Sequence, residues 1–204
     1  MPIICFGGSF NPIHYGHITP AQAVAAKAGF DRVRLIPSAQ PPHKPDAADL
    51  APAADRLAMC QLAADWANAQ TPAGPRFEVD DIETRRTGPS YTIDTVSELK
   101  RQGFDSVHWL IGADMLLSLP RWHRPADLLQ EVQFVVMARP GFTLDFATLP
   151  PEFRHLQAQV VEVPLIPISA TDIRERVRRS RPITALTPPV IGRYIFSHGL
   201  YLER

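Results

Sequence analysis

Short apolar runs of strand length recur along this chain, and most are separated by segments in which apolar residues return every three or four positions. This alternation constrains the fold more than any other feature. Runs that are apolar throughout suit strands covered on both faces, and an intervening helix supplies both the cover and the crossover that parallel strands require. The runs occupy residues 3–6, 33–36, 107–111, 132–137 and 160–163, with a shorter one at 77–79. Helical spacing covers 17–28, 53–68, 91–102, 125–129, 171–180 and 189–198. The pattern predicts an α/β fold, a Rossmann-like doubly wound parallel sheet with helices on both faces, in one domain spanning 1–204. Folds of this kind bind ligands outside the carboxyl ends of their strands, so the segments that follow strands are the ones to read for chemistry.

Composition narrows the function. With 204 residues, 45% of them hydrophobic, the chain can bury one substantial core. Its 21 basic and 21 acidic side chains cancel, so no global field favours nucleic acid or an anionic membrane, and any polyanion site must be local. The longest apolar stretches fall well short of the ~20 residues of a membrane-spanning helix. The N-terminus has no basic segment and cleavage site of a secretory leader, so a cytoplasmic location is expected. Cys5 in an apolar run and Cys60 in a helical pattern read as buried thiols, not as a disulfide or a metal site. Pro-rich stretches at 37–52 and 140–151 read as exposed loops.

The first strand runs into GGSFNPIHYGH, which places Gly7, Gly8, Ser9, Phe10, His14 and His17 between that strand and the first helix. The glycines allow a tight turn and close approach to a ligand, and N–H groups at the helix start are suited to phosphate oxygens. The segment is neither GxGxxG nor a P-loop, which disfavours an ordinary dinucleotide site or a Walker ATPase. His14 and His17, three residues apart at a helix entrance, can point both rings into one pocket and donate to a developing phosphoryl charge. Read singly, His17 would only cap or pack the helix and His14 would be an exposed loop residue.

Here the sequence resembles a known family. GGSFNPIHYGH fits the GxFxPxHxGH signature of the HxGH nucleotidylyltransferases, and ISATDIR, from Ile168 to Arg174, is similar to their second signature ISxTxIR. PPHK, PSYT, IGADML, RWH and ARPG, lying between, resemble the bacterial nicotinate-mononucleotide adenylyltransferases. Asn11 stands where that family often has aspartate before the proline. The resemblance implies adenylyl transfer from ATP to nicotinic acid mononucleotide, giving deamido-NAD and pyrophosphate, with Mg²⁺ carried on ATP and no metal held by the protein. ATP and the mononucleotide are then the partners, and a homo-oligomer is compatible with the sequence. Nicotinamide mononucleotide and phosphopantetheine are rival acceptors. A non-catalytic nucleotide-binding regulator and an aminoacyl-tRNA synthetase fragment are rivals of other kinds.

Roles follow for particular residues. His14, His17, Lys44 and Arg174 form the expected catalytic set. Ser169 and Thr171 precede the helix that carries Arg174, so hydroxyls, N–H groups and a guanidinium can converge on the triphosphate, although either hydroxyl would serve equally as a cap. Arg176, Arg178, Arg179 and Arg181 read as a solvated helix face. Gly112 and Asp114 at the next helix entry suit a ribose, while Asp114 also fits the helix dipole. Arg139 at a strand end is expected near adenine through the resemblance. Trp122, beside polar Arg121 and His123, offers a ring for the pyridine unless it belongs to the core. Tyr91 and Thr92, at another helix start, are expected to receive the nicotinate carboxylate, with Ser90 as the alternative cap.

Overall fold

The computed structural model describes residues 3–42, 49–138, 141, 145–164 and 166–202. Six strands form one sheet in the order β3-β2-β1-β4-β5-β6, every pairing parallel. They are β1 (Ile3–Gly8), β2 (Arg32–Pro37), β3 (Arg76–Val79), β4 (His108–Gly112), β5 (Gln133–Ala138) and β6 (Val160–Glu162). The helices are α1 (Tyr15–Ala28), α2 (Ala53–Gln70), α3 (Thr92–Arg101), α4 (Ala113–Leu116), α5 (Pro125–Glu131), α6 (Ala170–Arg178) and α7 (Pro189–Ser197). This strand order is that of a doubly wound Rossmann-like sheet, and the direction of winding reverses between β1 and β4.

Side-chain alternation along the strands divides the core into two layers. Ile4, Phe6, Val33, Leu35, Leu110 and Val135 face the layer formed with α1, α2, α6 and α7. Cys5, Ile36, Trp109, Ile111, Phe134 and Val136 face the layer formed with α3, α4 and α5. Helix α1 buries Ile18, Ala21, Val24 and Ala25 on one stripe and stops at Gly29, whose φ of 77° makes the left-handed turn that ends a helix. Both cysteines are free and buried, one in each layer.

The structure departs from the sequence reading mainly in the second half. Residues 140–151, read as an exposed loop, include a 3₁₀ turn over Phe146–Thr148 and bury Leu149. A longer 3₁₀ stretch, Pro151–Gln159, leads into β6 and buries Phe153 and Leu156. The three-residue period of a 3₁₀ turn brings those two side chains onto one face, a spacing that too short an apolar pattern left unrecognised.

Candidate active site

At the reversal point between β1 and β4 the carboxyl ends of the strands open into a cleft of about 1290 Å³. Gly7, Gly8, Ser9, Phe10, His14 and His17 line one part of it. Ser169, Thr171 and Arg174 line a second part, and Gly112 and Asp114 a third. Tyr91, Thr92, Trp122 and His123 complete the wall. Residues drawn from five loops thus meet in one cavity. Lys44 and Arg139 lie outside the described residues.

The histidines are held as a stack. Their ring centroids are 3.8 Å apart with planes 28° from parallel, and His17 sits edge-on to Phe10 at 5.2 Å, which in turn sits edge-on to Phe6 at 5.5 Å. His14 is 4% exposed, and burial pulls its pKa down to about 4. At neutral pH its ring is therefore uncharged and acts as an N–H donor, and its burial rules out the exposed loop residue that it would be if read singly. Gly16 belongs to this arrangement although the sequence reading passed over it. A Cβ there would come within 2.9 Å of His14 Nδ1 and 3.3 Å of the Ile166 carbonyl, so only glycine lets the ring lie as it does. Gly7 is also explained differently from expectation, because a Cβ there would meet the Trp109 ring at 2.5 Å. Its smallness serves sheet packing.

The expected bare helix starts are largely occupied. At α1 the Tyr15 N–H donates to the Leu186 carbonyl at 3.1 Å and the His17 N–H to the His14 carbonyl at 2.9 Å. At α6 Ser169 is the N-cap, its Oγ accepting from the N–H groups of Thr171 at 3.1 Å and Asp172 at 3.4 Å. At these two ends side chains, more than free backbone donors, are available to a ligand. At α3 the Asp94 N–H likewise donates to the Tyr91 carbonyl at 3.2 Å, and Tyr91 makes no side-chain cap hydrogen bond. Ser90, the alternative cap, faces away: its Oγ accepts from the Ala39 N–H at 2.9 Å and the Gln40 N–H at 3.3 Å, tying α3 to the loop after β2. Tyr91 stacks on His123, centroids 4.1 Å apart, and Trp122 Nε1 donates to Ser118 Oγ at 3.1 Å. Trp122 is half-buried, lining the cleft wall while packing against the core layer formed with α3, α4 and α5. Buried Glu83 also lines this wall, accepts from Thr95 Oγ1 at 2.7 Å, and has its pKa raised by desolvation.

Arg174 crosses to the first loop. Its Nη1 donates to the Asn11 carbonyl at 2.9 Å and Nη2 to Thr171 Oγ1 at 3.3 Å, while Nε faces Asp49 Oδ2 at 3.5 Å. A guanidinium has five N–H donors, so this bracing leaves N–H capacity for a ligand. Of the neighbouring arginines, Arg176 pairs with Asp172 and Arg179 with Glu175 along the helix, as on a solvated face. Arg178 differs from that reading by joining Arg174 on Asp49, at 2.7 Å. Its hydrogen bond, with the two guanidinium charges, holds the Asp49 carboxyl below the usual range.

A doubly wound sheet with this cleft at its winding reversal is a nucleotide-handling architecture, and a model of cytidylyltransferase-like proteins matches residues 5–176. A protein of Roseiflexus sp. (strain RS-1) named "Probable nicotinate-nucleotide adenylyltransferase" is 41% identical over 203 residues, covering 98% of each chain. One of the same name from Moorella thermoacetica is 40% identical over 205 residues, covering 97% of this chain and 90% of the relative. The chain belongs to the cytidylyltransferase-like family and, within it, to the nicotinate-nucleotide adenylyltransferases. Plasmodium falciparum nicotinic acid mononucleotide adenylyltransferase, solved with NaAD, shares the fold with a TM-score of 0.77 over 98% of each chain, at 18% identity.

Proposed function

We propose that the chain transfers the adenylyl group of ATP to nicotinic acid mononucleotide, releasing pyrophosphate and forming deamido-NAD, and that it does so in the cytoplasm. One observation carries the reading: a single cleft joins the His14–His17 stack and Arg174 to a helix start that has no side-chain cap and is flanked by aromatic rings. The first region suits a triphosphate and the second a planar ring bearing a carboxylate. The names of the relatives agree with this substrate.

The mononucleotide 5′-phosphate attacks the α-phosphorus in line; a new P–O bond forms as the bond to the bridging β-phosphate oxygen breaks, and pyrophosphate departs. No covalent enzyme intermediate is needed. Two polyanions must be held together, so positioning and charge stabilisation carry the rate. His14 and His17 donate to oxygens at the reacting phosphorus, and Arg174 and Lys44 hold the departing end. Gly112 and Asp114 take the adenosine, with Arg139 near adenine. The N–H groups at the start of α3 receive the nicotinate carboxylate, with Trp122 and His123 beside the ring. Among the described residues no group of three His, Cys, Asp or Glu side chains stands together as a metal site. Mg²⁺ carried on ATP neutralises phosphate charge.

The test is to incubate the protein with ATP and Mg²⁺ and nicotinate mononucleotide, nicotinamide mononucleotide or phosphopantetheine, and to measure pyrophosphate and the adenylylated product. Strong preference for the nicotinate substrate is expected. Phosphopantetheine as the best acceptor would overturn the reading, and near wild-type turnover in His14→Ala would remove the histidine from the mechanism.

A further inference from the structure

Among the described residues, the largest fully buried side chain is charged. Arg56, in the first turn of α2, is 0% exposed. Its Nε donates to the Ala51 carbonyl at 2.9 Å, Nη1 to the carbonyls of Ser9 at 2.8 Å and Ser38 at 2.6 Å, and Nη2 to the Ala39 carbonyl at 2.9 Å. No carboxylate among the described residues forms a direct ion pair with it, and buried Glu83 acts on it only through a longer-range charge interaction. A buried cation without a directly paired counter-ion carries a large desolvation cost, and removing its partners would be more costly still. Main-chain carbonyls satisfy its donors without cancelling its charge, and Glu83 offsets that charge only at a distance, so positive charge persists beneath the loops it binds.

Those loops border the cleft. Ser9 and Ser38 line it, in the segments that follow β1 and β2, and Ala51 precedes α2. The bond to Ser9 has a further effect. A trans peptide points its C=O and N–H in opposite directions, so holding the Ser9 carbonyl against Arg56 turns the Phe10 N–H to the opposite side. Phe10 there adopts φ 43°, a left-handed conformation that costs a non-glycine residue on the order of 1 kcal/mol and needs an external restraint.

We propose that Arg56 is a positioning residue for the triphosphate of ATP, fixing the first loop and the root of the loop after β2 from below and adding positive charge under the phosphates. This rests on the cleft binding ATP as proposed above. Arg56 touches no substrate atom, so its loss should act on the charged end of the nucleotide and spare the adenosine end.

The experiment measures calorimetric affinities for Mg²⁺-ATP and for AMP in wild type, Arg56→Met and Arg56→Lys, with thermal unfolding as a check on folding. Arg56→Met should lower ATP affinity at least tenfold while changing AMP affinity less than threefold. Arg56→Lys, which keeps the charge but not the planar fork, should recover part of the ATP affinity. If Arg56→Met does not fold, a fall in the ATP-to-AMP affinity ratio in Arg56→Lys carries the test. An unchanged ratio in a folded variant, with both affinities falling together or neither falling, would overturn the proposal and leave Arg56 a purely structural residue. Failure of the wild type to bind ATP would instead overturn the assignment of the cleft, and this inference with it.

Discussion

At the scale of single residues, the chemistry of the site depends on burial that a motif does not reveal. HYGH gives two histidines and a glycine, but the neutral state of His14 comes from its enclosure, with Nδ1 buried and without a hydrogen-bond partner among the described residues. A consequence for stability follows. The folded pKa of about 4 lies below the 6.5 of an exposed imidazole, so between those values the unfolded chain takes up a proton that the folded chain refuses. This residue's contribution is present above pH 6.5 and is lost as the pH falls toward 4, amounting at most to about 3 kcal/mol. Glu83, with a raised pKa, works in the opposite direction, but it is common to both proteins in a comparison with His14→Gln. Urea unfolding of wild type should weaken more steeply than that of His14→Gln between pH 7 and pH 4.5. Parallel curves would mean that the ring is not desolvated.

At the scale of elements, the strand–helix alternation was legible because a strand covered on both faces must be apolar throughout, and all six strands stand where short apolar runs occur. The 3₁₀ stretches were not, since one or two turns carry too few residues to establish a period. Helix starts were placed within a residue or two, but the partners of their N–H groups were hidden. The Tyr15 N–H is taken by Leu186, far along the chain, whereas Ser169 caps its own helix, a local relation that the sequence could offer only as an alternative. Helix α6 carries Arg174, so its first turn sets the position of the guanidinium. Ser169→Ala should therefore reduce unfolding free energy by about 1 kcal/mol, and Ser169→Asp should restore most of it, since both Ser and Asp oxygens accept from the N–H groups that Ala leaves unpaired. Equilibrium denaturation of the three proteins measures this, and an alanine variant as stable as wild type would show that the cap does not hold the turn.

At the scale of the whole molecule, the two signatures were readable as separate ends of a phosphate site, but the residues that bind the ends together were not. Arg56 looks like any helix residue in sequence, and Asn11 looks like a departure from the family pattern. In the structure Asn11 is a junction. Its Nδ2 donates to the Asp49 carbonyl at 2.9 Å, its Oδ1 accepts from the Ala51 N–H at 3.0 Å and the Tyr201 hydroxyl at 2.8 Å, and its own carbonyl accepts from Arg174. The first loop, the segment before α2, α6 and the C-terminal region thus meet on one residue, three of the contacts on its side-chain amide. Both ends of that amide are in use, which makes the identity of the side chain testable. Asn11→Asp keeps an acceptor for Ala51 and Tyr201 but replaces the donor to the Asp49 carbonyl by a second acceptor, leaving two oxygens facing each other in a site 6% exposed. At pH 7 the loss should be roughly 1 to 3 kcal/mol, the cost of a buried group left without its partner. A protonated carboxyl can donate again, so the deficit relative to wild type should narrow as the pH is lowered through the carboxylate range. Denaturation of both proteins across that range provides the measurement. A deficit that does not change with pH would mean that the Asp49 contact contributes nothing, and that the junction is held by Ala51 and Tyr201 alone.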